Sequence, residues 1–130
     1  MSSNAIKDAA MDPTNARRVL VVDDNVDAAD LLAEALRMAG HAVTVAYDPR
    51  AAIALLPSVA PEVAVLDIGL PGMDGYELAA HVKIILPSCR LVALTGYGQA
   101  NDIARSRQAG FEVHLVKPAD LAQLLTVIAG

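Results

Sequence analysis

The chain has 130 residues and a formal net charge of −5, which is enough for one domain and leaves no electrostatic footprint for nucleic acid. Apolar residues make up 55% but aromatics only 3%, with no Trp. The core must therefore be Val, Leu, Ile and Ala, which favours helices packed closely on a sheet over an aromatic-rich barrel. The single cysteine, Cys89, excludes an intramolecular disulfide and fits a reducing cytosol.

Residues 1–16 carry Pro13, lack periodicity and contain no signal-peptide core, so they read as a disordered leader before one domain, 17–130. Arg17-Arg18 flank the first apolar run, Val19-Leu20-Val21-Val22, which ends in Asp23-Asp24. From Asn25 to Gly40, Ala28, Leu31, Leu32, Ala35, Leu36 and Ala39 follow helical spacing between a capping Asn and a terminating Gly. Ala42 to Ala46 reads as a strand. Asp48-Pro49 then opens a helix expected to stop before Pro57.

The next run, Val63-Ala64-Val65-Leu66, ends in Asp67. Asp74 and Glu77 form a capping-box pattern at the head of a helix carrying Leu78, Val82, Ile85 and Leu86 before Pro87. Cys89 precedes Leu91-Val92-Ala93-Leu94, which ends in Thr95, and no partner base suggests that the thiol is reactive. A polar helix is expected between Gly98 and Gly110, near the basic pair Arg105/Arg107. The last strand, Val113-His114-Leu115-Val116, leads into Lys117-Pro118 and a helix from about Asp120 to Ala129.

Five strands alternating with five helices imply a parallel sheet covered on both faces. Ligands of such sheets bind beyond the carboxyl ends of the strands. If the strand order is 2-1-3-4-5, Asp23, Asp24 and Asp67 meet at the topological switch point. Three crowded carboxylates repel unless a cation neutralises them, and Mg²⁺ suits because it takes oxygen ligands and shares phosphate oxygens. A carboxylate can then accept a phosphoryl group as an acyl phosphate. Lys117 and Thr95 would supply an ammonium and a hydroxyl to the remaining phosphoryl oxygens.

The stretches Val19-Leu20-Val21-Val22-Asp23-Asp24-Asn25, Leu66-Asp67-Ile68-Gly69-Leu70-Pro71-Gly72-Met73-Asp74-Gly75, Ala93-Leu94-Thr95-Gly96 and Leu115-Val116-Lys117-Pro118 closely resemble the receiver domains of bacterial two-component response regulators. The resemblance covers the chain from about residue 17 onward. It implies a flavodoxin-like doubly wound (βα)5 sandwich with a five-stranded parallel sheet in the order 2-1-3-4-5. It makes Asp67 the phosphorylated aspartate, with Asp23, Asp24, Asp67 and the Gly69 carbonyl holding Mg²⁺. Lys117 would contact the phosphoryl group, its bond to Pro118 would be cis, and Thr95 would report occupancy.

His114 departs from the family, which usually places Tyr or Phe three residues before the lysine. An imidazole there either couples Thr95 to the outer face or is a plain strand residue. Gly69, Gly96 and Tyr97 lie where acyl-phosphate lifetime is tuned. Thr95-Gly96-Tyr97-Gly98-Gln99, with Gly110-Phe111 and His114-Leu115-Val116-Lys117-Pro118, looks most like receivers attached to hybrid sensor kinases. His41 and His81 lack the surroundings of phospho-accepting histidines and read as packing or surface residues.

A haloacid-dehalogenase phosphatase would carry a second Asp where Gly69 stands and would need a cap domain. A flavodoxin-type cofactor carrier would want a Gly/Ser/Thr-rich phosphate loop after the first strand. An interaction module without phosphorylation would lack part of the acidic cluster or the lysine. The expectation is thus a cytoplasmic signalling domain rather than a metabolic enzyme. It takes its phosphoryl group from a sensor histidine kinase or a histidine phosphotransfer protein. With no output domain before Gly130, it would signal to an unidentified downstream protein through its last two helices and last strand, or else serve as a phosphate sink or relay, or be a fragment of a larger chain. Nucleic acid and membrane are not expected partners, and the outer helices allow a monomer or weak homodimer.

Overall fold

The computed structural model describes residues 16–70, 72–96 and 107–130. Of the sequence expectations, residues 1–15 of the leader, Tyr97 and most of the helix between Gly98 and Gly110 lie outside these; only residues 107–109 of that helix are described, and they are helical. The chain runs β1 (Arg18–Val22), α1 (Val26–Met38), β2 (Ala42–Ala46), α2 (Pro49–Val59), β3 (Val63–Asp67), α3 (Gly75–Ile85), β4 (Arg90–Thr95), β5 (Phe111–Val116) and α4 (Leu121–Ala129).

Each described helix starts on a short polar side chain that accepts a hydrogen bond from an otherwise orphaned amide. Asn25 Oδ1 accepts from Ala28, Asp48 Oδ1 from Ala51, Asp74 Oδ1 from Glu77 and Asp120 Oδ1 from Gln123. At the end of α1, Gly40 takes φ of 105°, a left-handed turn that glycine tolerates, and its N–H returns to the Arg37 carbonyl.

The expectation that α2 stops before Pro57 is corrected: the helix runs through Pro57 to Val59. Proline in the last turn forfeits only one backbone bond, and its ring is exposed. Leu56, fully buried, anchors that turn in the core, and the helix ends where Ala60 turns left-handed at φ 44°.

The five strands are all parallel and ordered β2-β1-β3-β4-β5, the flavodoxin-like doubly wound arrangement. Strand alternation divides the core into two layers. Leu20, Val22, Ala64, Leu66, Leu91 and Ala93 cluster with Ala52, Leu56, Leu78, Ala79 and Val82 of α2 and α3. Val19, Val21, Val63, Val65, Val92 and Leu94 cluster with Ala29, Leu36, Leu124 and Ile128 of α1 and α4. Each fully buried Leu or Val contributes about 1.5–3 kcal/mol, and the alanines let the helices sit close to the sheet. This two-sided burial holds the strand ends in register, so polar residues at those ends have fixed positions.

Glu112 is an extra residue in β5, because Leu91 pairs with Phe111 while Val92 pairs with Val113. At the opposite, amino-terminal edge of the sheet, Arg17 and Arg90 donate to the Ala129 and Ile128 carbonyls of α4. The Arg17-Arg18 pair is thus part of the scaffold, with Arg18 bonded to the Ala60 carbonyl and paired with Glu62. No described helix is long and apolar enough to cross a membrane.

Candidate functional site

The carboxyl edge of the sheet gathers Asp23, Asp24, Asp67 and Lys117. Asp23 follows β1, and Asp67 is the last residue of the neighbouring β3. Both are buried, at 3% and 5% exposure, whereas Asp24 is exposed. A burial this deep is unusual for carboxylates without a partner.

The partner is Lys117. Its Nζ lies 3.0 Å from Asp23 Oδ2 and 3.0 Å from Asp67 Oδ2, bridging two strand ends. The backbone fixes the remaining oxygens. Asn25 N–H donates to Asp23 Oδ1 at 3.0 Å, and Gly69 N–H donates to Asp67 Oδ1 at 3.0 Å. The lysine is itself anchored, since its N–H donates to the Thr95 carbonyl at 2.8 Å; its bond to Pro118 is cis.

Electrostatics follow from this crowding. Burial raises the Asp67 carboxyl above its ordinary value, and the Asp23 charge adds to the rise; the Gly69 amide and Lys117 oppose it without prevailing. Burial acts against the Lys117 ammonium too, but hydrogen bonds to Asp23 and Asp67 outweigh it and raise the value. The two directions agree physically: one ammonium serves two buried carboxylates, so it is held firmly while Asp67 remains under-compensated.

One carboxylate oxygen from each of Asp23, Asp24 and Asp67 can be chosen so that all lie within 4.8 Å of one another. The set is all oxygen, carries up to three negative charges against one ammonium, and keeps one open side at Asp24. That chemistry fits a hard divalent cation such as Mg²⁺, which prefers oxygen ligands and retains waters.

Thr95 ends β4 next to Asp67, fully buried, and its Oγ1 has no hydrogen-bond partner among the described residues. A hydroxyl left unsatisfied in the core costs about 1–3 kcal/mol. Gly69 is exposed and Gly96 half-buried. His114 sits further back, opposite Ala93 in β4, on the sheet face that carries Leu91 and Phe111. Its ring lies 6.3 Å from that of Phe111, and burial, then the Arg107 charge, lower its value below the ordinary one. Cys89 is buried away from this edge, and burial pushes its thiol up to about 11.

Sequence reasoning gave no role to Gly75 or to the Gly69 amide. A Cβ on Gly75 would lie 2.6 Å from the Ile68 Cα and 2.9 Å from the Asp67 carbonyl oxygen. The only hint in the sequence was a glycine directly after the helix-capping Asp74, where better helix formers are available.

The family model of the response regulator receiver domain matches residues 19–129. An uncharacterized 14.6 kDa protein of Leptolyngbya boryana is 36% identical over 115 residues, covering 85% of this chain and 86% of its own. Sporulation initiation phosphotransferase F of Bacillus subtilis (strain 168) is 30% identical over 107 residues, covering 82% of this chain and 86% of its own. Among solved structures, a CheY-like receiver domain protein from Methanospirillum hungatei superposes with a TM-score of 0.80 at 28% identity, over 87% of this chain and 90% of that one.

Proposed function

The chain belongs to the response regulator receiver domain family of two-component signalling systems, and on that premise we propose that it accepts a phosphoryl group from a phosphohistidine onto Asp67. The observation that carries this reading is the Asp67 carboxylate itself: buried, held through Oδ1 by the Gly69 amide, and bridged through Oδ2 and Lys117 to Asp23. The donor is a histidine kinase or a histidine phosphotransfer protein, as family membership implies.

In the transfer, an Asp67 carboxylate oxygen attacks phosphorus as the phosphorus–nitrogen bond of the donor breaks. The electron pair leaves with the imidazole nitrogen, which takes up a proton from water. Phosphoryl transfer asks mainly for positioning and charge stabilisation. Asp23, Asp24, Asp67 and the Gly69 carbonyl would hold Mg²⁺, which supplies positive charge to the phosphoryl oxygens and to the crowded carboxylates.

Lys117 opposes the burial that raises the Asp67 carboxyl before the transfer and afterwards follows the charge onto a phosphoryl oxygen. The Thr95 hydroxyl, lacking a partner among the described residues, gains one by donating to another phosphoryl oxygen. Because the Thr95 carbonyl is bonded to the Lys117 amide, movement at β4 reaches β5 and His114. There the signal passes to a downstream protein through the surface of β5 and the helices flanking it. Gly69, Gly96 and Tyr97 set how long the acyl phosphate lasts.

Incubation with acetyl phosphate and Mg²⁺ tests the reading. Intact mass should rise by one phosphoryl group in the wild type, and not in Asp67→Asn or in the presence of a chelator. A folded wild-type protein that gains nothing, or an Asp67→Asn protein that gains as much, would contradict it.

A further inference from the structure

We propose that Gly75 is a positioning residue for the phospho-acceptor: the absence of a side chain there sets where the Asp67 carboxylate stands. The inference rests on the reading of Asp67 given above.

Gly75 is the first residue of α3, buried against the end of β3. Its N–H donates to the Ile68 carbonyl at 3.0 Å, closing the loop that follows Asp67. A Cβ on Gly75 would meet the Ile68 Cα at 2.6 Å, the Asp67 oxygen at 2.9 Å and the Asp67 carbonyl carbon at 3.3 Å. All three are main-chain atoms, so no flexible side chain can swing aside. Nor can β3 retreat, because Ile68 N–H is bonded to the Leu94 carbonyl and the strand is buried on both faces.

Any larger residue must therefore push the Asp67–Ile68 peptide and the loop behind it. That loop carries the Gly69 N–H, which holds Asp67 Oδ1 at 3.0 Å. The displacement thus reaches the reacting carboxylate through one hydrogen bond. A misplacement of about 1 Å can cost a reaction about a hundredfold.

Gly72 supplies a control in the same loop. It takes φ of 85°, so a side chain strains it, yet a Cβ there would meet nothing within 4 Å. Gly72→Ala should lower loop stability without pressing on Asp67.

The test compares wild type, Gly75→Ala and Gly72→Ala, each folded by circular dichroism, in two readouts. One is the rate of mass gain from acetyl phosphate with Mg²⁺. The other is the amide resonance of Gly69 without any phosphodonor, followed through a Mg²⁺ titration. Gly75→Ala should slow phosphorylation by about ten- to a hundredfold, move the Gly69 amide and demand more Mg²⁺. Gly72→Ala should stay within about twofold of wild type.

Wild-type rate in Gly75→Ala, or equal slowing in both variants, would overturn the proposal. Should wild type itself accept no phosphoryl group, the functional reading fails separately, and an unmoved Gly69 amide in Gly75→Ala would still refute the positioning role. If Gly75→Ala does not fold in buffer, the same two readouts are taken in trimethylamine N-oxide, which favours the folded state. Wild-type rate or an unmoved Gly69 amide there would equally refute the role.

Discussion

His41 illustrates how a single residue away from the reactive edge makes the fold sensitive to acid. It is 4% exposed, and its Nδ1 accepts the Arg17 amide at 3.0 Å. Burial, and then the Arg17 charge, lower its value below the ordinary 6.5. The unfolded chain therefore takes up a proton that the folded chain refuses. The stability this contributes is complete above pH 6.5 and drains as the pH falls from there toward the lowered folded value. Melting temperatures measured from neutral to mildly acidic pH should fall less steeply in His41→Gln than in wild type. Equal slopes would show that His41 does not titrate on unfolding. The sequence placed His41 after a helix-ending glycine and left it a packing or surface residue, and the amide it accepts comes from a residue 24 positions away. Pairing over that distance cannot be read from local pattern.

Among the elements, β5 is an edge strand of the sheet and ends beside Lys117 of the site. Its extra residue, Glu112, turns Phe111 and His114 onto one face. The Phe111 ring also meets Tyr76 of α3 edge-on at 6.2 Å. His114→Ala should leave phosphorylation of Asp67 intact. It should at the same time abolish most of the phosphorylation-dependent shift in the β5 amides of Val113 and Leu115. If those amides respond as in wild type, His114 is a plain strand residue. The strand runs and the polar residues ending them were legible because burial on both faces leaves β-branched stretches with abrupt polar ends. The caps Asn25, Asp48 and Asp74 were legible for a similarly local reason, each satisfying an amide three residues on. The end of α2 was not, since the burial of Leu56 outweighs the bond lost at Pro57. The bulge in β5 was equally hidden, because a register shift depends on the neighbouring strand.

For the whole molecule, a chain of net charge −5 concentrates three carboxylates at one edge of a sheet that is apolar on both faces. The scaffold makes that crowding possible: it fixes the strand ends, and the switch point between β1 and β3 brings distant acids together. Asp23, Asp24, Asp67 and Lys117 were named from sequence as one site, and they converge in the fold. What the sequence could not reveal is how they converge. The double engagement of Lys117, the grip of the Gly69 amide and the close approach of Gly75 all depend on distances that no spacing encodes.

Asp67, and none of its neighbours, is the residue proposed to carry the phosphoryl group. The most direct measurement is reduction of the acetyl-phosphate-treated protein with tritiated borohydride, which converts an acyl phosphate to a labelled alcohol, followed by peptide mapping. Label confined to residue 67, and absent when Mg²⁺ is chelated, is the predicted result. Label at Asp23 or Asp24, or a phosphorylated protein that borohydride leaves unlabelled, would overturn Asp67 as the acceptor.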